Sequence, residues 1–292
     1  MTTFLQLVVN GLGKGAVYAL LALGFVIIYK STEVVNFAHG ALVLLGGYVV
    51  VITLPTLGWV PAAALGVASA GLGALVLERL LISRARLADA NSLALMTIGL
   101  DVIITEEIIR RLGVTLPFLG EPYDAQPIQV GDITFFRTQL VALVVGAVLI
   151  TAFFLAFKYT SWGIAMRAQA ENKEAAALMG IRSSRVTATA WLVAGALAGI
   201  AVLFIATQDF SGIGLGRSTH SLALAAFPAA IIGGLDSTMG AVVGAMIVGV
   251  TEALSAQYIA FDFSKSAVFI VMLIVLVARP SGLFGTRELS RV

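Results

Sequence analysis

Polar positions in this chain fall in short clusters, and between them apolar residues run on for several helical turns at a time. Such runs follow neither the alternation of a half-buried strand nor the one-sided stripe of a surface helix. They predict helices that are apolar all round. Nine candidate spans result, over residues 4–29, 38–54, 59–78, 92–109, 138–157, 186–207, 219–234, 238–257 and 266–279. A crossing takes roughly 17 to 25 residues, so the short seventh and ninth spans suit half-helices. The fold class predicted is an all-α polytopic membrane protein, a bundle of about 8 to 10 transmembrane or half-spanning helices. No separate soluble stretch can be cut out, so residues 1–292 read as a single membrane domain.

The longest polar interruption, 110–137, holds "PIQVGDITFF", in which alternating residues flank Gly131 and Asp132. That is a two-residue hairpin signal with glycine first. The eighth span carries Gly240, Gly244 and Gly249, small residues at a spacing that lets two helix backbones approach closely.

Composition sharpens the class. Of 292 residues 59% are hydrophobic and 12% charged, against about 25% charged in soluble domains. The start, "MTTFLQLVVNGLGKG", lacks the basic region and cleavage site of a secretory signal and is expected to stay in the mature chain. Lys and Arg in short loops orient membrane proteins. With the N-terminus outside, the inner loops hold Lys30, Arg79, Arg84, Arg86, Lys158, Arg167, Lys173, Arg182, Arg185, Arg279, Arg287 and Arg291. The outer loops hold Arg110, Arg111, Arg137, Arg217 and Lys265. Twelve against five predicts N-out/C-in, which puts loop 158–186 in the cytoplasm and loop 110–137 outside.

Little of the chain suggests reactive chemistry. "GLGKG" at 11–15 fails as a phosphate loop, because the pattern needs glycine where Val8 stands and a hydroxyl where Gly15 stands. The two histidines, His39 and His220, are not at metal-ligand spacing, and there is no cysteine. No catalytic constellation appears, so the chain reads as a transport subunit rather than an enzyme, with no cofactor of its own and no nucleic-acid partner. Its energy source is then a partner or an ion gradient.

Three polar features remain. In "RAQAENKEAAALMGIRSSRV", 167–186, Asn172 suits a helix N-cap, Glu174 a first turn and Gly180 a left-handed termination. Ile181 falls where it packs back on Ala176, while Ala175, Leu178 and Met179 share a face. A two-turn helix is marginal alone and needs something to dock against, either lipid headgroups or a cytoplasmic partner. Asn36 and His39 in "STEVVNFAHG" suit a capped interfacial turn or a broken helix lining a path. Asp101 is a carboxylate within a span, so it faces either a partner, such as Lys14 or a threonine, or the substrate path. Glu106 with Arg110 and Glu107 with Arg111 are spaced as i,i+4 pairs.

The phrase around Glu171 and Asn172 resembles the coupling loop of ABC importer permeases, the "EAA---G" pattern carried by Glu174, Ala175, Ala176 and Gly180. The stretches "GAVYALLALGFVIIYKSTEVVNFAHGALVLLGGYV", "FPAAIIGGLDSTMGAVVGAMIVGVTE" and "RPSGLFG" are similar to branched-chain amino acid permeases of the shorter, high-affinity H-type. Where that family commonly has proline after the capping asparagine, this chain has Lys173. The resemblance implies import of Leu, Ile and Val across the inner membrane of a prokaryote. It also implies a paralogous permease in a heterodimer, two cytoplasmic ATPase subunits and an extracytoplasmic binding protein. A urea or short-amide importer of the same family and an ion-coupled transporter or channel stand as alternatives.

Overall fold

The structure, a computed structural model, describes residues 2–85, 89–114, 116–123, 126–130, 133–261 and 263–286. Its helices are α1 (Thr2–Thr32), α2 (His39–Leu57), α3 (Trp59–Leu77), α4 (Ala90–Leu112), α5 (Arg137–Tyr159), α6 (Ser161–Glu171), α7 (Lys173–Leu178), α8 (Ser183–Ile205), α9 (Gln208–Ser211), α10 (Arg217–Leu224), α11 (Phe227–Gly233), α12 (Thr238–Tyr258) and α13 (Ser264–Ala278). A π-helical turn, Glu78–Ile82, prolongs α3. Strands β1 (Ile128–Val130) and β2 (Ile133–Phe135) pair antiparallel, with Val130 opposite Ile133. The turn at Gly131 and Asp132 lies outside the described residues, as do the cations Arg86, Arg287 and Arg291.

Among the described residues, six helices are long and apolar enough to cross a membrane: α1, α2, α3, α5, α8 and α12. Helix α4 is as long but carries Asp101, Glu106, Glu107, Arg110 and Arg111. The remaining legs are α13, with 15 residues, and the pair α10 and α11. The span expected over 219–234 is therefore interrupted, at Ala225 and Ala226. Proline at Pro228 starts α11, where a missing N–H costs nothing.

Helix α1 is the axis of the bundle. Buried residues make up 89% of its most apolar window, against 17% for α5, which lies at the periphery. Two close crossings fix α12. A β-carbon at Gly249 would overlap the Gly11 carbonyl oxygen, and one at Gly244 would overlap the Ala229 carbonyl oxygen. Gly240 lies as tightly against Gly233. Backbones this close gain dispersion contact that lipid tails do not supply, so small residues set the geometry. Gly11 and Gly15 of "GLGKG" are thus one half of the α1–α12 crossing, while Gly13 packs on Gln139 of α5.

Candidate functional sites: an exposed peg and paired helix breaks

The phrase 161–181 folds back beneath the bundle for local reasons. Thr160 Oγ1 accepts the Gly163 N–H at 3.2 Å and starts α6. The Arg167 guanidinium donates to the Phe157 and Lys158 carbonyl oxygens, closing the C-terminus of α5. Gln169 Nε2 donates to the Ser31 carbonyl at 2.9 Å, which ties α6 to the end of α1. The chain breaks at Asn172, whose Oδ1 accepts the Ala175 N–H at 2.9 Å and begins α7. Gly180, at φ +83°, ends it: its N–H bonds the Ala177 carbonyl at 3.0 Å, and the Ile181 N–H bonds the Ala176 carbonyl at 3.1 Å. This double bond is the Schellman ending, which only a residue tolerant of positive φ completes without strain.

The short helix is seated by Ala176, 4% exposed, and by Ile181, which packs on the core. Glu171, Asn172, Glu174 and Ala175 are exposed. Leu178 and Met179 are 89% and 84% exposed. Two adjacent large apolar side chains therefore stand out from a helix that is fixed at both ends. Among the described residues none covers them.

At the other feature the chain doubles back. The Ser31 and Thr32 hydroxyls donate to the Ile28 carbonyl at 2.9 and 2.8 Å, and Glu33 takes a left-handed conformation, φ +60°, that reverses direction. Residues 34–38 then climb beside α1 until the His39 ring meets Gly24 and the Phe25 ring, 4.6 Å between centroids. At 1.5 Å per residue this starts α2 roughly 12 Å inward from the end of α1. Its first N–H groups are buried and need partners from elsewhere.

Helix α4 provides one for Ala41 and one for Phe37 just ahead of the helix. Thr97, Asp101 and Thr105, buried and four residues apart, form one stripe. Thr97 Oγ1 accepts the Phe37 N–H at 3.1 Å, and Asp101 Oδ1 accepts the Ala41 N–H at 3.1 Å. His220 Nε2 of α10 lies 2.9 Å from Asp101 Oδ2 and 3.0 Å from Oδ1. The carboxylate is thus an N-cap supplied from another helix, where the dipole favours an anion.

The second break lies beside the first. Phe227, opening α11, packs on Phe25 and Phe37, with centroids 5.4 and 5.6 Å apart. The far end of α11 is closed by the C-terminal segment: the Leu283 and Phe284 N–H groups donate to the Ile232 and Gly233 carbonyls at 2.8 and 2.9 Å. Lys30 Nζ donates to the Asp236 carbonyl at 2.7 Å. "RPSGLFG" is therefore the cap of a half-helix.

Asn36, His39 and Asp101 thus meet at one helix break. Asn36 Oδ1 accepts the Ala38 N–H at 3.1 Å, while its Nδ2 and both ring nitrogens of His39 are buried without a hydrogen-bond partner among the described residues. His39 does not cap α2; Asp101 does. Of the expected pairings, Glu107 with Arg111 is present and two others differ from the structure. Lys14 bonds Glu252 rather than Asp101, because it lies nearer the opposite end of α1. Glu107 takes both Arg110, at 2.8 Å, and Arg111, at 2.6 Å. Glu106 points toward α10 and binds Arg217 through both oxygens at 2.5 Å. His220 was legible only as a lone histidine, since its partner is 119 residues away.

Apolar spans, two of them interrupted side by side, and an exposed peg define a multi-pass membrane protein of the transporter class. The chain belongs to the family described as branched-chain amino acid transport system / permease component, which matches residues 7–278. It is 29% identical to the high-affinity branched-chain amino acid transport system permease protein LivH of Escherichia coli (strain K12), covering 99% of this chain and 98% of that one. It is 26% identical to BraD of Pseudomonas aeruginosa, a high-affinity branched-chain amino acid transport system permease protein, with the same coverage. A "Probable branched-chain amino acid transport permease protein LivH" of Methanocaldococcus jannaschii is 31% identical, covering 94% of this chain and 90% of that one. PsaBC from Streptococcus pneumoniae in complex with Fab is similar with a TM-score of 0.48 and 14% identity, covering 94% of this chain and 90% of that chain, too distant to compare residue by residue.

Proposed function

We propose that this chain is the permease subunit of an ATP-driven importer that carries Leu, Ile and Val across the inner membrane of a prokaryote. The observation that carries the reading is α7: capped at Asn172, terminated at Gly180, seated by Ala176, and presenting Leu178 and Met179 to solvent. Lone exposed apolar residues are ordinary, but two side by side on a rigid peg form a docking surface. In this reading α7 is the coupling helix, the N-terminus is outside and the C-terminus inside. The cytoplasmic ATPases grip Leu178 and Met179 and, through α6 and its Gln169–Ser31 bond, pull on the end of α1. Alternation of access follows from movement at the paired breaks, where short half-helices meet through aromatic contacts rather than a continuous backbone ladder. A paralogous permease completes a heterodimer, and a binding protein delivers cargo to the outer face.

The reading is tested in proteoliposomes holding the permease pair and the ATPases. Leu178→Asp combined with Met179→Asp should lower uptake about tenfold or more, ~1.4 kcal/mol or more of docking free energy. Membrane insertion and thermal stability should hold, because both side chains are exposed. Wild-type uptake in that variant, or leucine uptake that follows an ion gradient without ATP, would overturn it; competition by urea but not by leucine would shift the cargo to the short-amide class.

A further inference from the structure

A cavity of about 250 Å3 opens at the end of the bundle opposite α7, between the N-terminal half of α1 and the C-terminal half of α12. Its polar side is a charged triad: Glu252 accepts from Lys14 Nζ at 3.4 Å through Oε1 and from the Tyr18 hydroxyl at 2.6 Å through Oε2. Its other wall is apolar, from Phe210, Ile213 and Leu222, and Phe261 and Lys265 stand at the mouth. The cavity therefore joins charges of both signs to a hydrophobic surface.

The α1–α12 crossing does not need those charges. Gly11, Gly15 and Gly249 already bring the two backbones together, and ions withdrawn from water impose a desolvation penalty that a packed apolar contact avoids. Nor is the triad saturated. Lys14 has three N–H donors, and among the described residues it forms one bond, a long one. Both groups keep some access to the cavity, with side chains 26% and 14% exposed. Unused donors on Lys14 and unused lone pairs on Glu252 face the same small space.

We infer that this cavity is a binding site for a single zwitterionic α-amino acid with an aliphatic side chain. Glu252 receives the ammonium group. Lys14, with Lys265 at the mouth, receives the carboxylate, and the aliphatic side chain lies on Phe210, Ile213 and Leu222. A neutral amide would bring no charge to complement either Lys14 or Glu252 and would not cover the apolar wall. The inference rests on the amino-acid transport reading and adds to it a site within this chain, apart from the one in the binding protein.

The test measures L-leucine binding to the purified full chain in nanodiscs by saturation-transfer NMR, without binding protein or ATPases. Isocaproate, which lacks the ammonium, and isoamylamine, which lacks the carboxylate, are run beside it. L-leucine should bind to the wild type, and each analogue at least fivefold more weakly. Glu252→Gln should weaken L-leucine at least fivefold, as should Leu222→Trp, which fills the cavity. Phe261→Ala at the exposed mouth serves as a variant whose folding is not at risk, and it should weaken binding about twofold. Absence of binding to the wild type, or equal binding by Glu252→Gln and Leu222→Trp, overturns the site. ATP-driven uptake by the whole importer is measured in parallel: uptake that survives intact in both variants removes the cavity and leaves the transport reading, whereas leucine binding with no wild-type uptake removes the transport reading and leaves the cavity.

Discussion

A carboxylate near the centre of a bilayer costs about 2.5 to 3.5 kcal/mol on insertion scales, so Asp101 must recover that through its contacts. It does so by capping the buried start of α2 through Ala41 and by pairing with His220. That need was legible in the sequence, because an isolated acid in an apolar span has few other options. The partners were not legible, because neither lies near it in sequence and the fold alone brings them together. Replacing Asp101 with Leu leaves the Ala41 N–H unsatisfied and the His220 ring unpaired, and should cost about 1 to 3 kcal/mol for each orphaned group. Asp101→Asn keeps an acceptor for Ala41 and should cost less. A cycle with His220→Leu should show a coupling of roughly 0.5 kcal/mol or more between the two positions. Thermal unfolding in detergent micelles measures all of these, and wild-type stability in Asp101→Leu would show that the cap contributes nothing.

At the scale of elements, the long apolar helices were readable because lipid leaves the backbone no alternative to bonding itself. The peg was readable for a different reason: Asn172 and Gly180 are chemical signals for a helix start and stop that act locally. The breaks were harder. Residues 225–226 are plain alanines, and only Pro228, two positions on, marks that a new helix begins. "GLGKG" is the opposite case: a Gly-rich string invites a ligand reading, its spacing rules out a phosphate loop, and two of its glycines, Gly11 and Gly15, face Gly249 across a helix crossing. Gly249→Leu should therefore force α1 and α12 apart and cost about 1 to 3 kcal/mol or more, as overpacking does. Gly99→Ala is the matched control. Nothing lies within 4 Å of a β-carbon at Gly99, so the change should stabilise α4 by roughly 0.5 to 1 kcal/mol. Equal melting temperatures for the two variants would remove the crossing from the account of what holds α12 in place.

For the whole molecule the open question is direction, because the same bundle inserted upside down would put α7 beyond the reach of any nucleotide-driven partner. Two features at opposite ends bear on it. The α7 end gathers Lys30, Arg167, Lys173, Arg182, Arg185 and Arg279, and the end with the β-hairpin and the cavity has fewer cations. That asymmetry favours retention of the α7 end in the cytoplasm. The chain has no cysteine, so single cysteines report side without background. Glu174→Cys in α7 and Gln129→Cys in β1 replace exposed residues and should leave the fold intact. In intact cells a membrane-impermeant maleimide should label Gln129→Cys and spare Glu174→Cys until the membrane is permeabilised. The reverse pattern would place the peg outside the cell, and Leu178 and Met179 would then have to be docking residues for an external protein. Labelling of both sites in intact cells would mean mixed insertion, in which case the twelve-to-five charge difference read from the sequence is too weak to orient this bundle without its partners.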